Sequence, residues 1–139
     1  MKVKYDYGAF PIMRAHFDDA GIDFCTPVDF TLKAGQSTVV DTGVHVQIPV
    51  GYFGKMESKS GLNVNSNIQT TGGVIDSGYR GSVKIRLTNN GSHDYEFKGG
   101  DKISQMVLIP VLLADIEEVK ELDESNSGRN DSGFGSTGR

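Results

Sequence analysis

The chain contains a single cysteine, Cys25, and no tryptophan among its 139 residues. One thiol excludes an internal disulfide, and such a chain suits a reducing compartment. The N-terminus, MKVKYDYGAF, lacks the apolar core of a secretory leader. The longest apolar run, Met106 to Ala114, is too short to span a bilayer and contains Pro110. These absences predict a soluble cytoplasmic protein with no membrane partner. Basic residues are also in deficit, 14 Lys and Arg against 18 Asp and Glu, for a net charge of -4. That balance argues against nucleic acid as a partner. It still permits a small anion, which a few placed donors can hold whatever the net charge. The three histidines (His16, His45 and His93) are scattered, and no His/Cys cluster has zinc spacing. Cys25 reads as a small buried residue rather than a ligand.

Apolar residues make up only 37% of the chain, whereas glycine occurs 18 times. This implies one domain of many short elements, with a core completed by oligomerisation. The legible elements are strands. In SVKIRLTN, Val83, Ile85 and Leu87 alternate with Lys84, Arg86 and Thr88, so one face is buried and the other wet. VHVQIPV repeats this with Val44, Val46 and Ile48. Further strands are expected at Val3 to Tyr7, Phe10 to Arg14, Ile22 to Cys25, Ser37 to Val40, Tyr52 to Glu57, Ile103 to Val111 and Ile116 to Leu122. Only Ser60 to Asn67 could form a short helix. The expected fold is all-β, an antiparallel jelly-roll-like β-barrel. Residues 1–122 would form this domain and residues 123–139 a flexible C-terminal arm.

Two stretches are unusual for their surroundings. GVIDSGYRG, residues 73–81, places Asp76 directly after an apolar pair and Tyr79 just past a Ser-Gly turn. Asp76 is either an ordinary turn residue or a carboxylate able to act as a general base. In the arm, Phe134 stands alone among Gly133, Gly135, Ser136, Thr137 and Gly138. Such a segment is either an inert end or an anion-cradling loop with a stacking ring beside it.

The order DAGIDF (19–24), SKSGL (58–62), GVIDSGYRG (73–81), GDKISQMVLIP (100–110) and GRNDSGFGSTG (128–138) resembles the five motifs of the homotrimeric dUTPase family. The resemblance covers nearly the whole chain. It implies hydrolysis of dUTP to dUMP and pyrophosphate by water attack on the α-phosphorus, which limits uracil incorporation into DNA and supplies dUMP for dTMP synthesis. Asp76 matches the carboxylate that activates the water. Tyr79 matches the aromatic that packs on the deoxyribose and excludes a 2'-hydroxyl. The hairpin backbone around Gly73 and Ile75 resembles the surface that reads uracil. Asp23 matches the aspartate that helps hold Mg2+, through a coordinated water. Ser60, Gly61 and Gln105 match phosphate-contacting residues. Lys59 stands where the family usually has arginine, keeping the charge but losing the bidentate fork. In the arm, Arg129 would reach the γ-phosphate, Phe134 would stack on uracil, and Gly135, Ser136 and Thr137 would cap the phosphates. Asn130 and Ser132 stand where glycines are usual, which would alter the arm's mobility. Arg80 and Asp101 read as structural, and Lys102 as a solvated surface charge. The resemblance further implies a homotrimer whose active sites each draw on three chains. Two other functions fit the same fold. One is dCTP deamination. The other is a nucleotide-gated regulatory role, with a regulatory protein partner if the chain is phage-derived.

Overall fold

A computed structural model describes residues 1–124 and 126. Ten strands and one short helix follow in order: β1 (Lys2–Tyr5), β2 (Gly21–Cys25), β3 (Phe30–Leu32), β4 (Ser37–Gln47), β5 (Tyr52–Ser58), α1 (Ser60–Ser66), β6 (Ile68–Thr71), β7 (Val74–Ile75), β8 (Ser82–Asn89), β9 (Tyr95–Phe97) and β10 (Lys102–Pro110). Every strand pairing is antiparallel. One sheet has the order β1-β4-β8-β6, a second β2-β10-β5-β7, and β3 pairs with β9.

The expected alternation holds where it is clearest. Val83, Ile85 and Leu87 of β8 are buried, and Lys84 and Arg86 are exposed. Their apolar faces join Phe24, Leu32, Ile68, Phe97, Ile103 and Met106 in a single core. Phe30 and Phe97 stack across the short β3–β9 pair at 4.8 Å between ring centroids. Asn89 is buried in this layer without cost, because its amide donates to the Leu32 and His93 carbonyls and its oxygen accepts from the Gly91 N–H.

Several boundaries differ from expectation. Ser37 to Val40 and the VHVQIPV stretch belong to one strand, β4, whose pairing with β8 shifts register between Asp41 and His45. Gly43, at φ 65°, allows the irregularity, and the Thr42 hydroxyl fills it by donating to the Val83 carbonyl. Phe10 to Arg14 forms no strand and makes only one bridge, between Met13 and Asp23. Pro11 removes a backbone donor from that segment. Ile116 to Leu122 is also not a strand. Ile116 is 100% exposed and Leu122 88%, so this apolar segment has no partner among the described residues.

His45 ties the N-terminal strand to the loop after β7. Its Nδ1 lies 2.8 Å from the Arg80 carbonyl and its Nε2 2.9 Å from the Asp6 carboxylate. Only the doubly protonated ring can donate to both acceptors. The Arg80 carbonyl first, and then the Asp6 carboxylate, raise the His45 pKa above its ordinary 6.5, while Lys4 opposes them and itself pairs with Asp6. A raised histidine pKa stabilises the fold fully below 6.5, and this contribution is lost as pH rises through the higher native value. Denaturant unfolding should therefore show this stability being lost as pH rises above 6.5, and His45→Gln should remove that part of the decline.

Candidate active site

β10 runs between β2 and β5 and sets one row of residues across three strands, with Gln105 opposite both Asp23 and Glu57. β5 ends at Ser58, and Lys59 then turns the chain into α1. This brings Asp23, Lys59, Ser60, Gly61 and Gln105 to one end of the sheet, as the motifs suggested. Lys59 is the helix N-cap and gives no side-chain cap, so the first N–H groups of α1 are left for another acceptor. The Gln105 amide donates to the Ser58 carbonyl at 3.0 Å. Its side chain lies flat on Gly21, where a Cβ would come within 2.9 Å of the Gln105 Cδ. Below this row, the Thr70 hydroxyl donates to Ser104, whose hydroxyl donates to the Glu57 carbonyl. The Thr70 N–H donates to Ser58 Oγ, locking β5, β6 and β10 together under the site.

Asp23 is the centre of charge. Its side chain is only 4% exposed, and it meets two ammonium groups: Lys59 Nζ at 2.5 Å from Oδ1 and Lys102 Nζ at 2.8 Å from Oδ2. Burial pushes the Asp23 carboxyl up, but the hydrogen bonds from Lys102 and Lys59 outweigh it and hold the group below its usual range. Lys102 is raised by the same contact. Lys102 is exposed, as expected, but its ammonium also pairs with a buried carboxylate, which the sequence did not suggest. An isolated lysine in a sequence gives no sign of which carboxylate it meets across strands. Asp101 and Arg80 are structural, as expected. The Asp101 carboxylate accepts from the Lys98 N–H, and the Arg80 guanidinium donates to the Ser77 and Tyr79 carbonyls. Cys25 is buried and burial raises its thiol pKa, in keeping with a packing role.

The third motif sits elsewhere. Gly73, at φ 117°, admits no side chain, because a Cβ there would lie 2.5 Å from that of Met56. Its carbonyl accepts from the Met56 N–H, which starts the short β5–β7 pairing. β7 is the edge of its sheet, so one side of its backbone has no strand partner among the described residues. Tyr79 is held by its hydroxyl, which donates to the Ser82 carbonyl at 2.9 Å. Its ring crosses Gly81, where a Cβ would come within 2.6 Å of Tyr79 Cζ. Asp76 is exposed and borders a cleft of about 340 Å³ with Tyr52, Phe53, Val74, Ser77, Val111 and Leu113.

Within one chain these two groups do not meet. Ile75 pairs with Gly54, so Asp76 leaves β5 near Phe53, whereas Lys59 lies at the other end of the strand. Six residues of extended chain separate Phe53 from Lys59, about 20 Å at a rise of ~3.3 Å per residue. Arg129, Phe134, Gly135, Ser136 and Thr137 lie outside the described residues.

Residues 10–138 match the dUTPase family model. The chain belongs to the dUTPase family. It is 43% identical over 137 residues to the deoxyuridine 5'-triphosphate nucleotidohydrolase of Clostridium acetobutylicum, covering 97% of this chain and 93% of that protein. The enzyme of the same name from Candida albicans is 40% identical, with 86% of this chain and 76% of that protein covered. Among solved structures, the dUTPase of Staphylococcus bacteriophage 80alpha with dUpNHpp superposes with a TM-score of 0.89 at 28% identity, covering 99% of this chain and 98% of that one. A mutant dUTPase from phage phi11 of S. aureus, in which coordination of a structural Mg(II) ion is described, gives 0.79 at 26% identity, covering 86% and 96%. These likenesses favour dUTP hydrolysis over dCTP deamination.

Removing the Asp23 charge should leave two lysines facing each other without their counterion. A fully buried broken pair costs about 3–5 kcal/mol, but both lysines keep some contact with water, so Asp23→Asn should cost about 2 kcal/mol. Chemical denaturation at neutral pH checks this. The wild type should lose the same contribution on acidification below 3.8, whereas the variant should not.

Proposed function

We propose that this protein hydrolyses dUTP to dUMP and pyrophosphate, and that each active site is assembled from more than one copy of the chain. The observation that carries this reading is the separation of the two motif groups along β5. A general base must lie within about 3 Å of the water it activates, directly or through one further water. Lys59, Ser60 and Gln105 would hold the phosphate chain, and Asp76, which leaves β7 beside Phe53 at the far end of β5, about 20 Å along that strand from Lys59, cannot reach a water there. The Asp76 that completes the site then comes from a neighbouring copy.

In the assembled site, the free edge of β7 presents backbone donors and acceptors to the uracil imide edge. Exchanging uracil for cytosine reverses that pattern and leaves polar groups unpaired. The Tyr79 ring, held across Gly81, forms a hard wall beside C2' of the sugar. Asp76 takes a proton from the attacking water as its oxygen bonds to the α-phosphorus. The bond from that phosphorus to the bridging oxygen breaks, and pyrophosphate leaves with the electron pair. The donor set fits a magnesium ion carried mainly by the substrate's phosphates, which such a hard cation prefers alongside one or two carboxylates. Both Asp23 oxygens are occupied by ammonium groups, so Asp23 would meet the ion through a coordinated water. Bound there, Mg2+ would neutralise charge developing on the leaving pyrophosphate.

The proposal extends to a homotrimer in the cytoplasm. The segment after β10 leaves Leu112, Ile116 and Leu122 exposed, an apolar strip that another copy could cover. Among the described residues, no helix is long and apolar enough to cross a membrane. Residues 123–139 would form the arm that closes on the nucleotide, with Arg129 at the γ-phosphate and Phe134 over uracil. Gly135, Ser136 and Thr137 would close around the phosphates.

The decisive assay offers dUTP, dCTP, dTTP and UTP separately with Mg2+ and follows monophosphate, pyrophosphate and ammonia. Pyrophosphate and dUMP from dUTP alone are expected; ammonia from dCTP would overturn the assignment. Asp76→Asn should retain nucleotide binding while losing at least about a hundredfold in turnover. Near-normal turnover in that variant would remove Asp76 from the role of base.

Truncation after Leu122 separates closure from assembly. Most activity should disappear, while sedimentation should still give the oligomer of the full chain.

A further inference from the structure

The Lys59–Asp23–Lys102 cluster depends on an irregularity in β10. Lys102 pairs with Cys25, but Ser104 pairs with Phe24 and Gln105 with Asp23, so the register shifts between Lys102 and Ser104. In a regular strand, residues three apart point to opposite faces, and Lys102 would turn away from Gln105 into the core. The bulge at Ile103 reverses that parity. Ile103 and Ser104 are both fully buried in succession, and Lys102 emerges on the face that carries Asp23 and Gln105. Bulges of this kind re-aim side chains next to sites.

The re-aimed ammonium is not simply a neutralising partner. Lys59 already supplies a positive charge to the buried carboxylate, so the three groups together carry one net positive charge. Each ammonium has three N–H donors. Contact with Asp23 uses one on each, and the side chains remain 25% and 41% exposed, so further donors are open to an anion. The shared carboxylate holds both ammoniums at fixed positions, one against each oxygen. Two separately rooted donors pinned in this way offer the two-point contact that one guanidinium offers by itself.

We propose that Lys102 is a phosphate-binding residue, which forms with Lys59 a split fork for the phosphate chain of the nucleotide. The proposal rests on the nucleotidohydrolase reading above. It also accounts for lysine at position 59, since the second prong comes from β10 rather than from the same side chain.

The test is calorimetric titration of the full chain with dUpNHpp, a triphosphate analogue, and with deoxyuridine, which has no phosphate. Lys102→Met should weaken dUpNHpp binding by at least about tenfold and leave deoxyuridine binding within about twofold. Lys59→Arg added to Lys102→Met should recover most of the lost affinity, because the guanidinium restores both prongs. A purely structural Lys102 would weaken both ligands alike and would not be rescued at position 59. Lys102→Gln serves the same comparison if Lys102→Met does not fold. Unchanged dUpNHpp affinity in a folded variant, or equal loss for both ligands, overturns the proposal while leaving dUTP hydrolysis in place. A wild type that binds neither ligand overturns both.

Discussion

The register of β10 between β2 and β5 is the constraint on which the site depends. Because side chains alternate along a strand, a one-residue slip would carry Gln105 to the opposite face and Met106 out of the core. The apolar face therefore enforces the polar one: Met106 and Phe24, both fully buried, cannot be exposed without losing a large hydrophobic contribution. The Thr70–Ser104–Glu57 hydrogen-bond chain adds a directional lock, because its groups match only in this register. Chemistry at the sheet's end is thus positioned by packing beneath it.

Burial also explains how Asp23 can hold two cations. A carboxylate with 4% of its side chain exposed would ordinarily be driven towards its neutral form. Two charge-assisted hydrogen bonds more than offset that penalty, so the group stays ionised and both lysines stay in place. The lysines keep partial contact with water, which limits their own desolvation. Glycine contributes at the same scale. Gly21 and Gly81 are where the Gln105 and Tyr79 side chains lie against backbone, and a methyl group at either position would push a site residue from its seat. The abundance of glycine therefore reflects close approach as much as turns.

Much of this was legible in the chain. Alternation marked β8 because its two faces differ sharply, with Val83, Ile85 and Leu87 against Lys84 and Arg86. The same test missed β3, β6, β7 and β9, which at four residues or fewer are too short to display a period. It also overextended to Ile116–Leu122, where apolar residues signal a need for cover that the described chain does not supply. The motifs singled out Asp23, Lys59, Gln105, Asp76 and Tyr79 as candidates. They could not reveal that Lys102 shares Asp23, since that contact follows from a bulge, and a bulge has no fixed residue signature.

The placement of Asp76 links fold to assembly. β7 follows a tight turn through Gly72 and Gly73 and pairs with only Gly54 and Lys55, at the end of β5 opposite to Lys59. A longer β7 running beside the whole of β5 would still be antiparallel, so its later residues would move farther from Lys59, not closer. No extension of this hairpin within one chain could bring Asp76 to the Lys59 end of β5. With the topology fixed in this way, the proposed site, with Asp76 as base and Lys59, Ser60 and Gln105 on the phosphates, would draw on different copies of the chain. Activity would then depend on assembly, and a monomer would carry both halves of the chemistry without being able to use them together.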